Sequence, residues 1–131
     1  MYLVDTSVLT RLRLPAIGNI LLGLGQLMYS PVSGLELRYS ASNGADYHTL
    51  TTILDGFDRL TVADTVFDIA DRTQRLLAEA GLKGRPVRDL IIAAQAEVAG
   101  LTLLHYDADF DLIASVTGQS TLWIAPRGTI D

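Results

Sequence analysis

The chain has 131 residues, of which 49% are hydrophobic, and its mean hydropathy is +0.29. This composition excludes a disordered chain and is typical of one folded domain with a single core. It contains no cysteine, which excludes disulfides and thiolate metal sites and fits a reducing compartment. Its net charge of −5 argues against a simple basic nucleic-acid-binding domain, but less so if bound divalent cations offset several acids at one site.

The sequence offers no targeting or membrane-spanning signal. Its first residues, MYLVDTSVL, lack the basic region of a signal peptide. The most apolar stretches are interrupted by Asn, Gln or Glu and are too short to cross a bilayer. We therefore expect a cytoplasmic protein without membrane association, folded as one domain over residues 1–131.

Short apolar runs alternate with helical patterns along the chain, and this alternation predicts an α/β fold with a parallel sheet. The predicted elements are, in order, a strand at 2–5, a short helix from Ser7, a helix at 15–26, a strand at 27–30, a helix at 31–41, a helix at 45–57, a strand at 59–63, a helix ending at Gly81, a helix at 86–100, a strand at 101–106, a helix at 110–117 and a strand at 121–125.

The fifth predicted helix carries charges on its exposed side that we expect to stabilise the helix and nothing more. Asp64 is placed to cap its first turn. Asp68 and Arg72, and likewise Asp71 and Arg75, stand four residues apart. Opposite charges at this spacing form ion pairs on a helix surface, so these four residues are not candidates for chemistry.

Four acidic residues lie where a functional site is expected. Ligands of open parallel sheets bind outside the carboxyl ends of the strands, and Asp5 and Asp107 each end a predicted strand. Glu36 and Asp89 each interrupt an otherwise apolar helical segment. Four carboxylates from separate segments would form an oxygen-rich cluster of the kind that Mg²⁺ or Mn²⁺ prefers.

Each of these acids also has a purely structural interpretation. Asp5 could cap the short helix that follows it. Asp89 lies in a first helical turn, where the helix dipole favours a negative charge. Glu36 could pair with Arg38 or with another basic residue. The combination of all four favours the metal site.

The stretch LLHYDADFDLI (103–113) contains three aspartates at alternate positions. A calcium loop of the EF-hand type would need glycine at its sixth position and glutamate at its twelfth, but Leu112 and Gly118 stand there. We expect Asp107 to point into the site, Asp109 to cap the next helix while contacting the site, and Asp111 to be a solvated charge.

Other possible motifs carry less weight. The segment GLG at 23–25 lacks the remainder of a dinucleotide-binding fingerprint. His48 and His105 have no partner at ligand spacing, and we expect His105 to be packed within its strand. Ser7 has no evident histidine base, so at most it orients Asp5 or a metal-bound water.

In order, the segments LVDTSVL, SGLELRY, VRDLIIAA and LLHYDADFD resemble the four acidic motifs of the PIN-domain ribonucleases. Length and motif spacing are most similar to the VapC toxins of bacterial VapBC toxin–antitoxin pairs, from Tyr2 to about Ile124. The resemblance implies a parallel five-stranded sheet flanked by α-helices and metal-dependent endoribonuclease activity on RNA, with tRNA and rRNA as candidate substrates. It also implies a VapB-type antitoxin as partner and a homodimer.

The resemblance also implies roles for individual residues. The catalytic acids and metal ligands would be Asp5, Glu36, Asp89 and Asp107, with Asp109 as a secondary ligand and Ser7 as the small polar residue of the first motif. Asp5 is expected to be the central ligand of Mg²⁺ or Mn²⁺. The chemistry expected is that of two ions roughly 3.5–4 Å apart, one activating water and one stabilising the leaving oxygen, to give a 5′-phosphate and a 3′-hydroxyl.

The arginines are candidate phosphate contacts. The chain has nine arginines and one lysine, and a planar guanidinium suits phosphate recognition. Arg88, next to Asp89, and Arg11 or Arg13 are the residues expected to contact the substrate.

Three other classes remain as alternatives. A phosphoaspartyl phosphatase needs an acid two residues after Asp5, where Ser7 stands. A magnesium-binding receiver domain needs a lysine near the end of the last strand, whereas Lys83 is far from it in sequence. The non-enzymatic alternative is a catalytically silent PIN-like binding module, although all four acids are present.

Overall fold

The computed structural model describes residues 1–82 and 84–130, so Lys83 and Asp131 lie outside the described residues. Within that part of the chain, five short strands form one parallel sheet in the order β3-β2-β1-β4-β5. The strands are β1 (Tyr2–Val4), β2 (Leu27–Tyr29), β3 (Asp58–Arg59), β4 (Thr102–His105) and β5 (Thr121–Trp123). The predicted parallel α/β sheet is thus confirmed.

The central strand β1 is hydrogen-bonded on both sides. Leu3 stands opposite Met28 of β2 and opposite Leu103 of β4. Leu3 and Leu103 are both fully buried. Because helices cover both faces of a parallel sheet, strand residues are buried on either side and the strands are apolar without interruption.

Seven helices are present among the described residues. They are α1 (Thr6–Leu9), α2 (Pro15–Leu22), α3 (Pro31–Tyr39), α4 (Gly44–Leu54), α5 (Val66–Glu79), α6 (Val87–Ala99) and α7 (Asp109–Thr117). Their ends follow local chemistry. Ser30 caps α3 by accepting a hydrogen bond from the Val32 amide, and Gly100 ends α6 in the left-handed conformation that glycine adopts without a steric cost.

Two apolar clusters cover the two faces of the sheet. Neighbouring residues of a strand point to opposite faces, so Leu3 joins the cluster under α5, α6 and α7, while Val4 joins the cluster under α1, α2 and α4. None of the helices in the described part of the chain is long and apolar enough to cross a membrane.

Several element boundaries differ from the predicted ones. The predicted strand at 59–63 is only the two-residue edge strand Asp58–Arg59, and the predicted helix at 15–26 ends at Leu22. An edge strand pairs on one side only, so fewer backbone hydrogen bonds hold it in register. The prediction of Asp64 as a helix cap is wrong, because α5 begins at Val66 after Thr65 and no side chain caps it.

The charges on α5 also pair differently from the prediction. Arg72 forms an ion pair with Glu97 of the neighbouring helix α6, and Arg75 pairs with Glu79 one turn later on α5. The predicted pairs with Asp68 and Asp71 are therefore wrong. Helices α5 and α6 pack side by side, so the long Arg72 side chain reaches an acid on its neighbour that helical spacing alone cannot reveal.

Replacing Phe110 with Ala should lower the free energy of unfolding by about 3–5 kcal/mol, because Phe110 is fully buried and its loss leaves a cavity. Phe67→Ala is the matched control. Its ring is 63% exposed, so we expect a change within about 0.5 kcal/mol. Urea unfolding of both variants measures the difference, and equal losses would contradict the assignment of Phe110 to the core.

Candidate metal centre

Four segments bring acidic side chains together at the carboxyl end of the sheet. Asp5 directly follows β1, and Asp107 lies two residues after β4. Helix α3 supplies Glu36 and helix α6 supplies Asp89. All four line one cavity of about 180 Å³, together with Thr6, Ser7, Thr10 and Arg88. The structure therefore brings the four acids of the predicted motifs into one place.

Asp5 is held by Ser7. One carboxylate oxygen, Oδ2, accepts hydrogen bonds from the Ser7 amide at 2.9 Å and from the Ser7 hydroxyl at 2.6 Å. The Ser7 hydroxyl in turn accepts one from the Tyr106 amide at 2.9 Å. Asp5 is thus the N-cap of α1 as well as a residue of the cavity, so the structural and functional interpretations both apply. Its other oxygen, Oδ1, is buried and has no hydrogen-bond partner within residues 1–82 and 84–130.

Glu36 is held by two different elements. Its Oε1 accepts a hydrogen bond from the Thr6 hydroxyl at 2.8 Å, and its Oε2 lies 2.7 Å from Nε of Arg88. The alternative partner Arg38 instead lies over the ring of Tyr47, with 5.3 Å between the guanidinium carbon and the ring centroid. Glu36 therefore links α1, α3 and α6 around the cavity.

Three acids form the tightest group. Asp89, Asp107 and Asp109 each offer one carboxylate oxygen, and these oxygens lie within 4.8 Å of one another. We name these residues the acid trio. Asp109, predicted as a secondary ligand, belongs to this trio, whereas Asp5, predicted as the central ligand, lies beside it. The role of each as a ligand stays a prediction.

The aspartates of DADFD have different local roles from those predicted. Helix α7 begins at Asp109 itself, so the prediction of Asp109 as its cap is wrong. Asp107 accepts the hydrogen bond from the Asp109 amide at 2.9 Å, and Asp109 forms an ion pair with Arg85 at 2.6 Å. Asp111 is exposed as predicted, but it is not merely solvated: its two oxygens accept from the Trp123 indole nitrogen at 3.0 and 3.1 Å.

Burial and repulsion from neighbouring acids raise the pKa of two carboxyls of the cavity, those of Asp5 and Asp89, and so favour their protonated form. Burial raises the pKa of Asp5, against the opposing hydrogen bonds from Ser7, and the charge of Glu36 adds to the rise. Burial, followed by the charges of Asp5 and Asp107, raises the pKa of Asp89 to about 7. A cation bound among these oxygens would reverse this preference.

The donor set fits a hard divalent cation. The acid trio presents three oxygens in reach of one another, and the buried Oδ1 of Asp5 and Oδ2 of Asp89 have no hydrogen-bond partner among the described residues. Buried polar atoms normally have a hydrogen-bond partner, and a bound cation would supply the partner that these two oxygens lack. Oxygen ligands without thiolate or imidazole suit Mg²⁺ or Mn²⁺.

The predicted phosphate contacts all make interactions within the protein. Arg88 pairs with Glu36 but remains 59% exposed at the edge of the cavity. Arg11 donates to the Ser7 carbonyl at 2.6 Å, and Arg13 donates to the Thr10 carbonyl at 2.9 Å. Arg88 is therefore the best placed of the three for a substrate phosphate.

Sequence reasoning missed two residues that hold the site. Thr6 lies inside the first motif, directly after Asp5, and that position could have drawn attention to its hydroxyl. Arg85, the partner of Asp109, lies in the segment before α6, where no periodic pattern distinguishes it. His105 is fully buried as predicted, against the rings of Phe110 and Trp123 at 5.2 and 5.0 Å, and burial lowers its pKa.

Comparisons with known proteins agree with this fold. The family model of the PIN domain matches residues 2–116. Ribonuclease VapC51 of Mycobacterium tuberculosis is 45% identical over 133 residues, which cover 99% of this chain and 97% of that protein. Ribonuclease VapC18 of the same organism is 48% identical over 99 residues, covering 73% of this chain and 72% of that protein. The solved structure of VapBC-1 from nontypeable Haemophilus influenzae has a TM-score of 0.81 at 19% identity, covering 94% of this chain and 97% of that chain.

Without metal, the protein should lose stability as the pH rises from about 4 to about 7, because the Asp89 carboxyl binds its proton more tightly in the folded chain than in the unfolded chain. The slope contributed by one such group is at most about 1.4 kcal/mol per pH unit. Asp89→Asn removes this contribution, so its stability should fall less over the same range and exceed that of the wild type at the upper end.

Urea unfolding in EDTA at several pH values measures these slopes. Asp68→Asn is the matched control, because Asp68 also lies in a first helical turn but is exposed. We expect it to retain the wild-type slope. Identical slopes in the wild type and in Asp89→Asn would contradict the raised pKa.

Proposed function

The chain belongs to the PIN-domain family and, within it, to the VapC ribonucleases, and from this premise we propose that it is a metal-dependent endoribonuclease that acts as the toxin of a type II toxin–antitoxin pair. The observation that carries the proposal is the cavity at the carboxyl end of the sheet, where Asp5, Glu36 and the acid trio meet. This is the position at which open parallel sheets bind ligands.

The acid trio and the free oxygen of Asp5 are the residues that would hold Mg²⁺ or Mn²⁺. When bound, a divalent ion supplies Lewis acidity toward a phosphodiester and its attacking water. Ser7 fixes the orientation of Asp5 by occupying one of its two oxygens, so that the other remains available. Ligands held in this way need little rearrangement when an ion binds.

Glu36 and Arg88 would act at the substrate side of the cavity. Arg88 neutralises Glu36 through one guanidinium nitrogen, Nε, and its exposed end can contact a phosphate of the RNA. The net charge of −5 does not oppose RNA binding at this cavity, because bound divalent ions would offset the negative charge of the acids that line it.

The partner proposed is a VapB-type antitoxin that inhibits the toxin, and the assembly proposed for the toxin is a homodimer. Support comes from the similarity to VapC ribonucleases and from the fold that the chain shares with members of VapBC complexes. An antitoxin segment that enters the acidic cavity would block both the metal ligands and the substrate phosphate.

The purified protein should cleave RNA only with Mg²⁺ or Mn²⁺, and EDTA should stop the reaction. Asp5→Asn should reduce the rate about a hundredfold or more, since removal of one preorganised charge-stabilising group typically costs about 10²–10³ in rate. Asparagine keeps the shape of aspartate and can still accept from Ser7, so folding is preserved. Gel analysis of a labelled RNA measures the rate.

Asp5→Asn purified in the same way reveals a contaminating nuclease, and Asp68→Asn is the control for general effects of losing a carboxylate. We expect it to cleave at the wild-type rate. Cleavage that persists in EDTA and in Asp5→Asn would contradict the proposed metal centre and favour a binding module.

Mg²⁺ should raise the melting temperature of the wild type, because a ligand that binds only the folded state adds about 2.7 kcal/mol at a concentration of 100 times its Kd. Asp107→Asn should melt higher than the wild type without metal, because it removes repulsion in the acid trio while its side-chain oxygen still accepts from the Asp109 amide. It should gain much less from Mg²⁺. Thermal melts with and without Mg²⁺ test this, and a full Mg²⁺ shift in Asp107→Asn would show that Asp107 is not a ligand.

A further inference from the structure

A second cavity, of about 430 Å³, adjoins the metal centre at the carboxyl ends of β4 and β5. It shares Asp107 and Asp109 with the acid trio. Its other walls include two aromatic rings and two guanidinium groups, from Tyr106, Trp123, Arg11 and Arg127. We name this cavity the Trp123 pocket.

The indole of Trp123 is held in one orientation. Its nitrogen donates to both carboxylate oxygens of Asp111 at 3.0 and 3.1 Å. The ring of His105 lies 5.0 Å away, and the ring of Tyr106 meets it edge-on at 5.4 Å. The indole is only partly buried, so the remaining surface is presented to the pocket without the freedom of an exposed side chain. A rigid aromatic surface binds a flat ligand at a low entropic cost.

The two guanidinium groups of the pocket have the geometry and charge that suit a phosphate contact. Arg11 lies over the Tyr106 ring at 4.7 Å and donates to the Ser7 carbonyl, so it connects the pocket to the residue that orients Asp5. Arg127 lies in the exposed segment after β5 and lines the same pocket. Single-stranded RNA is bound by this combination of stacking rings and arginines.

We propose that the Trp123 pocket binds a nucleotide next to the scissile phosphate, with its base on Trp123 and its phosphate at Arg127. The inference rests on the proposed function. A cavity of 180 Å³ at the metal centre is smaller than the roughly 300–1,000 Å³ typical of ligand sites, whereas the Trp123 pocket falls within that range. A strand whose phosphate lies at the shared acids must place an adjoining nucleotide in a neighbouring space.

The intrinsic fluorescence of the protein tests this directly, because Trp123 is the one tryptophan of the chain. The full chain is titrated in Mg²⁺ with each of the four nucleoside 5′-monophosphates. We expect saturable quenching, since a base stacks on the fluorophore itself. Ribose 5-phosphate, which has the phosphate but no base, should leave the emission nearly unchanged.

Two substitutions test the residues of the pocket, and a third is their control. Arg127→Gln should weaken nucleotide binding about fivefold or more through the loss of a charged hydrogen bond. Arg59→Gln removes an exposed arginine at the opposite edge of the sheet and should bind as the wild type does. Trp123→Leu should raise the KM for RNA about fivefold or more with little change in kcat, because stacking stabilises bound substrate and transition state equally.

The outcomes separate this inference from the proposed function. RNA cleavage by a protein whose emission no nucleotide changes, or changes no more than ribose 5-phosphate does, overturns the pocket assignment alone. An emission that responds to a VapB-type antitoxin and not to nucleotides also overturns it, since the pocket would then dock a protein. An unchanged Kd in Arg127→Gln overturns the phosphate contact. Nucleotide quenching in a protein that cleaves no RNA supports the pocket and removes the proposed nuclease.

Discussion

The hydrogen bond from the Tyr106 amide to the Ser7 hydroxyl joins two segments that are 99 residues apart in sequence, and the geometry of the candidate metal centre depends on it. It extends the parallel pairing of β1 and β4, which continues in the bond from the Asp5 amide to the Leu104 carbonyl. Because the Ser7 hydroxyl also donates to Asp5, it sets the orientation of the carboxylate that follows β1 relative to the backbone that follows β4. The position of Asp107 beside Asp5 follows from that alignment.

The same alignment places carboxylates where water solvates them poorly. Asp5 and Asp89 are 3% and 5% exposed, so the folded chain holds two acids that favour their neutral form. A core built only for stability would not contain them. Functional sites commonly keep such locally unfavourable groups because the surrounding structure is stable enough to hold them. The apolar clusters on both faces of the sheet supply that support.

Much of this arrangement is predictable from sequence, since acids at strand ends share one edge of a parallel sheet whatever the loops do. Asp5 and Asp107 were predicted in this way, whereas Glu36 and Asp89 were predicted because each interrupts an otherwise apolar helical segment. Pairings that depend on tertiary packing were not. Arg72 pairs across two helices and Arg85 reaches Asp109, because in each pair a partner that is distant in sequence outcompetes the local one. Local spacing carries no information about such neighbours.

The strand order determines when the acids of the site can come together during synthesis of the chain. The central strand β1 leaves the ribosome first, but its neighbour β4 begins only at Thr102. A nascent chain that stops short of β4 contains Asp5, Glu36 and Asp89 but neither Asp107 nor Asp109, and its Ser7 has no Tyr106 amide to bind. The candidate centre therefore closes only after residue 109 of the 131, more than four fifths of the chain, has been made. Translation itself delays the moment at which the growing polypeptide could act on RNA, including the messenger that encodes it.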